Sequence, residues 1–114
     1  MVMQGNQFIE MKSLLQLKNQ MEQLGFKIPF RILDAFTILH TSKGTRLFPF
    51  SIQQIYKQVS PDGQGGEWVS FFITTRERDK GFVIYPANST EARLCEAFCD
   101  KCRQAFNNGT TLNQ

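Results

Sequence analysis

The chain has 114 residues, 41% hydrophobic and 20% charged, which suits one folded domain and excludes two independent cores and intrinsic disorder. Its longest apolar runs, such as Phe71-Phe72-Ile73, fall far short of the ~20 residues that cross a bilayer. The net charge of +3, from 13 Lys+Arg against 10 Asp+Glu, permits nucleic-acid binding without demanding it.

The start, Met1-Val2-Met3-Gln4-Gly5-Asn6, has no basic region before an apolar core and does not read as a secretory signal. Three cysteines, an odd number, then suggest reduced thiols and a cytoplasmic setting. Residues 7–25 are predicted helical, because Phe8, Met11, Leu14, Leu17, Met21 and Leu24 recur at spacings of three and four. Asn6 suits the N-cap and Gly25 the left-handed stop. Pro29 opens a second predicted helix to residue 41, with Ile32, Leu33, Phe36 and Leu39 on one face. The rival reading is a hairpin, Phe36–His40 with Thr45–Phe48 around Ser42-Lys43-Gly44; Asp34 and Ala35 favour the helix.

Ser51 and Gln54 have the spacing of a capping box, and Ile52, Ile55, Tyr56 and Val59 follow at i, i+3, i+4, i+7, so a helix is predicted from Ser51 to Val59. Pro61 ends it, and Asp62-Gly63-Gln64-Gly65-Gly66 is a flexible turn. Residues 67–80 admit two readings. A helix puts Val69, Phe72 and Ile73 on the core. A strand uses the aromatic and β-branched run Trp68–Thr75, turning at Asp79-Lys80-Gly81 into a strand Phe82–Tyr85. Asn88 and Glu91 open a last helix, 89–106, and residues 107–114 form a polar, frayed tail.

Catalytic and metal chemistry find little to work with. His40 is the only histidine, and spacing assigns it no nucleophile or carboxylate, so no catalytic residue is expected and the chain is not read as an enzyme. Cys95, Cys99 and Cys102 share one helical face, but one straight helix rarely converges three ligands on an ion; they are expected to be packing residues, with no metal and no cofactor.

Three stretches carry a resemblance: Phe30–Leu39; Gly44-Thr45-Arg46-Leu47-Phe48-Pro49-Phe50-Ser51-Ile52-Gln53-Gln54-Ile55; and Arg78-Asp79-Lys80-Gly81-Phe82-Val83-Ile84. Over residues 28–86 the chain resembles winged helix-turn-helix DNA-binding proteins, and its terminal helices resemble the dimerisation helices of the MarR-like branch. The resemblance implies a mainly α domain with a small β-hairpin or wing (α+β), spanning residues 1–114. The implied function is sequence-specific binding of double-stranded DNA by a homodimeric regulator or a plasmid- or phage-type accessory factor, with no membrane partner. Gln64, Ser70, Thr74 and Thr75 would face base edges, and Lys43, Arg46, Lys57, Arg78 and Lys80 the phosphates. Met11, Leu14, Leu17, Met21, Leu94, Phe98 and Cys102 would form the dimer interface. The seven-residue turn Ser60–Gly66 departs from the usual short turn. The alternative is a small α+β inhibitor or adaptor without DNA binding, anchored on exposed aromatics such as Phe71 or Trp68.

Overall fold

The fold is taken from a computed structural model in which residues 14–112 are described, with side chains from 14 to 106. Helix α1 covers residues 14–23 of the described chain. It ends in a Schellman motif: Gly25 N–H donates to Glu22 O (2.9 Å), Phe26 N–H to Met21 O (2.9 Å), and Gly25 takes φ +95°. Six strands follow: β1 Ile28–Asp34, β2 Thr37–His40, β3 Thr45–Leu47, β4 Ile52–Pro61, β5 Glu67–Thr75 and β6 Lys80–Pro86. A 3-10 turn, Pro49–Ser51, precedes β4, and helix α2, Thr90–Leu112, closes the chain. The six form one sheet, ordered β3-β2-β1-β6-β5-β4. It is two antiparallel meanders joined by a short parallel ladder, Ile28 with Gly81 and Pro29 with Phe82.

The sheet is curled. β3 and β4 lie on opposite edges, which a flat six-stranded sheet would hold roughly 24 Å apart. The five links from Leu47 to Ile52 span at most about 18 Å. The edges therefore bend toward each other around α2. Phe30, Ile32, Ile38, Ile52, Val69, Phe71, Ile73 and Val83 point into this concave side, against Ala92, Cys95, Phe98, Cys99 and Cys102 of α2. The convex side carries a smaller cluster, Met21 of α1 with Phe72 and Phe82, beside Phe26, whose ring meets Phe72 edge-on at 5.2 Å.

This architecture overturns the mainly α winged helix: the sheet dominates, and the central region contains no long helix. Residues 29–41 are β1 and β2, the hairpin reading extended back to Ile28, with the turn around Lys43-Gly44 as that reading had it. Residues 51–59 carry the most misleading pattern. A β-bulge between Ile52 and Gln54 lets Ile52 and Ile55 face the same side although three residues apart, so a strand imitates helical spacing. Ser51 caps no helix there; its Oγ accepts the Phe48 N–H (3.2 Å) and closes the 3-10 turn. Residues 67–75 form the strand β5 rather than a recognition helix. Both faces of β5 are buried from Val69 to Thr75, so apolar residues follow one another at Phe71-Phe72-Ile73 without a period of two.

At the last helix, Ser89 rather than Asn88 makes the cap, its Oγ accepting the Ala92 N–H (3.1 Å). α2 continues beyond residue 106 to Leu112. No helix among the described residues is long and apolar enough to cross a membrane.

Candidate functional site

At the end of the sheet where β2 stops, β4 starts and β5 turns into β6, the two meanders meet around an open cleft of about 410 Å³. Its floor is a polar clasp. His40 ends β2 buried, with its ring tilted against Phe30. Nδ1 accepts the Lys43 N–H (3.3 Å), which leaves the proton on Nε2 to donate to Asp79 Oδ2 (3.2 Å). Asp79 sits in the β5–β6 turn, its own N–H donating to Thr75 Oγ1 (3.1 Å). Lys43 Nζ reaches over to Asp79 Oδ2 (2.9 Å) and Glu77 Oε2 (3.7 Å). One histidine and one lysine of the first meander thus hold a carboxylate of the second, across β1. Both ring nitrogens of His40 are thus engaged within the chain.

The Lys43 ammonium, by hydrogen bond and charge, holds the Asp79 carboxyl below its ordinary pKa. Asp79 in turn raises that of Lys43. The lowered acid makes the unfolded chain bind more protons, so this stabilisation is complete above about pH 4, the unfolded carboxyl's range, and is lost as pH falls through the folded value. Lys43→Met is therefore expected to flatten the acid limb of stability. Urea midpoints of the two proteins should differ at pH 6 and converge toward pH 2; a constant difference would contradict the pairing.

The cleft is lined by three cations, Lys43, Arg46 and Arg76, against two carboxylates, Glu77 and Asp79, and by the Phe50 ring. Arg46 lies on β3, and Arg76 follows β5, its Nε donating to Phe50 O and its N–H to Ser51 O. Neither guanidinium has an acidic partner within salt-bridge distance among the described residues. Beside them Phe48 and Phe50 flank Pro49 with their rings stacked, centroids 5.6 Å apart and planes 8° from parallel. Phe50 is 67% exposed, an unusual position for so large an apolar ring.

Of the residues assigned to nucleic acid, Lys43, Arg46 and Thr75 do line this cleft, whereas Arg78, in the β5–β6 turn, and Lys80, the first residue of β6, do not. Arg78 takes φ +73° in that turn. Lys80 lies over the Phe26 ring. The others lie apart. Lys57 pairs with Glu96 of α2. Gln64 sits in the 62–66 turn, about nine strand residues or ~30 Å away. Ser70 and Thr74 are buried in β5, as is most of Thr75 at the cleft floor.

The assigned dimer residues Leu17, Met21, Phe98 and Cys102 are buried in the chain's own core. Leu14 and Leu94 are half-buried, and Met11 lies outside the described residues. The proposed anchor Phe71 is fully buried; Trp68 is half-buried with Nε1 unpaired. Cys95, Cys99 and Cys102 fill the layer between helix and sheet, and burial pushes the Cys95 and Cys102 thiols up to about 12. Sequence reasoning missed Arg76, Phe48, Phe50 and the His40–Asp79 clasp as parts of one site. The only advance signal was the pair of phenylalanines around Pro49, among basic residues.

The fold and cleft together define a small α+β domain: a curled mixed sheet wrapped on one helix, with a cleft at one end lined by three cations, two carboxylates and the Phe50 ring. Comparison with protein-family models, with curated proteins and with solved structures finds no match for this chain.

Proposed function

We propose that the protein binds nucleic acid at this cleft, through unpaired bases and their phosphates, rather than by placing a helix in a duplex groove. The observation that carries the reading is the exposed, stacked Phe48–Phe50 pair, whose Phe50 lines the cleft together with Arg46 and Arg76, neither of them in a salt bridge among the described residues. An exposed aromatic face stacks a base of any sequence, and flanking arginines neutralise the backbone. What favours single strands over a duplex is that three of the four residues assigned to base edges, Ser70, Thr74 and Thr75, are buried in the strand β5.

The test is fluorescence anisotropy with a labelled single-stranded 12-mer and its duplex. The single strand is expected to bind more tightly, with log K falling against log salt at a slope of roughly −1.5, for two phosphates. Phe50→Ala should weaken binding about tenfold or more, since a stacked base contributes about 1–3 kcal/mol. Arg46→Ala should reduce the slope by about 0.7. Absence of binding at 100-fold molar excess of protein, or binding indifferent to Phe50→Ala, sinks the reading. In that case the same aromatic pair becomes an anchor for a protein partner, the adaptor alternative.

A further inference from the structure

The outer edge of β4 is the longest open edge of the sheet. Nine of its ten residues pair with β5, on one side only. The ladder fixes which backbone groups are free. Asp62 N–H donates to Gly66 O, and the register continues through Ser60 with Trp68, Gln58 with Ser70 and Tyr56 with Phe72. In an antiparallel ladder hydrogen-bonded pairs recur every second residue, so the even-numbered residues of β4 spend their amides on β5. The N–H and C=O groups of Ile55, Lys57 and Val59 therefore point outward, unpaired by the sheet.

Natural edges of this length are usually blunted by charges, bulges or proline. Here the bulge lies at one end, between Ile52 and Gln54, and Pro61 at the other. Lys57 is the strand's only charged residue, and it is drawn away to Glu96 of α2. Between these ends Tyr56 is 57% and Val59 48% exposed.

We propose that β4 pairs edge to edge with β4 of a second copy of this chain, antiparallel, with the two-fold axis at Tyr56. The occupant follows from the strand's self-complementarity. Centred on Tyr56, the outward amides of Ile55 meet those of Lys57 of the copy, and the reverse, as two hydrogen-bonded pairs. Tyr56 faces its own counterpart in the closer, non-hydrogen-bonded position, and Gln54 lies opposite Gln58, amide against amide. No like charges are opposed. Moving the axis one residue on, to Lys57, would set two ammonium-bearing side chains directly across from each other. Two strands alone bury less than the ~1,000 Å² of a stable interface, so the dimer is concentration-dependent.

Cross-linking tests the register. In the full-length protein, Tyr56→Cys places two thiols at a separation that a disulfide spans, whereas Gln54→Cys faces Gln58 and not itself. The three native cysteines are buried and do not compete. Under mild oxidation Tyr56→Cys is expected to give a covalent dimer at least tenfold faster than Gln54→Cys. Sedimentation from about 5 to 500 µM should show the native chain dimerising, and Tyr56→Arg, an exposed change, should weaken the dimer at least tenfold. A monomer throughout that range, a dimer indifferent to Tyr56→Arg, or equal cross-linking at both positions overturns the proposal.

Discussion

Replacing Gly81 by alanine is expected to destabilise the fold by about 1–3 kcal/mol, and by more if the strands cannot yield. The reason is space. A Cβ built on Gly81 lies 2.4 Å from Ile28 O and 2.5 Å from the Phe30 ring. The first of these is backbone, and it belongs to the parallel ladder between β1 and β6, which has only two residue pairs. Beyond that ladder Tyr85 takes over, its hydroxyl accepting the Ile32 N–H (3.1 Å). Relieving the collision by moving β1 means opening the one seam that joins the two meanders. Phe30 also packs on the His40 ring, so the disturbance reaches the floor of the cleft. Urea unfolding measures it: a lower midpoint is expected, with an unchanged slope if the native compactness survives. An unaltered midpoint would show that β1 and β6 do not meet at Gly81.

Phe98→Ala should cost more, about 3–5 kcal/mol. Phe98 is fully buried at the centre of the layer between α2 and the concave sheet, against residues of both meanders. Its helical neighbours on that face, Cys95, Cys99 and Cys102, are too small to collapse into the space it leaves. Leu94→Ala, at a half-buried position of the same helix, is the control and should cost less. The thiols give a direct readout. Held protonated by burial, Cys95 and Cys102 should react with a thiol reagent only when α2 opens. Phe98→Ala is expected to accelerate that labelling by two or more orders of magnitude, in proportion to its loss of stability. Equal rates in Phe98→Ala and Leu94→Ala would contradict a core centred on Phe98.

The two helices were legible over the described residues and the strands between them were not, for physical reasons; the Asn6 cap and residues 7–13 of the first predicted helix lie outside the described residues. The Met21–Phe26 stop and the α2 stripe are local: a glycine in the left-handed region, and a helix with one buried face, write themselves into consecutive residues. The strands depend on partners far along the chain. At Ile52–Val59 a bulge converted an alternation of two into a spacing of three, and the Ser51–Gln54 pair imitated a capping box. At Trp68–Thr75 burial on both faces erased the alternation; propensity favoured the strand, the order of elements in a winged helix favoured the helix, and the strand reading is the one the fold adopts. The cleft was half visible. Lys43, Arg46, Lys57, Arg78 and Lys80 were assigned to phosphate, but only Lys43 and Arg46 line the cleft, and their meeting with Arg76 needs the sheet to curl and bring β3 round toward the β5–β6 turn. Phe48 and Phe50 were read as the approach to a helix, because nothing in a three-residue turn announces that its aromatic rings stay exposed.

The most direct test of nucleic-acid binding at the cleft is a map of where an oligonucleotide touches the chain. Backbone amide chemical shifts of the labelled protein, followed through a titration with an unlabelled single strand, supply it. The expected result is a set of shifts confined to residues 43–51 and 75–79, with the amides of Phe50 and Arg76 moving most and the 62–66 turn unmoved. Shifts centred on that distant turn or on the exposed face of α2, or no shifts at saturating strand, would contradict it.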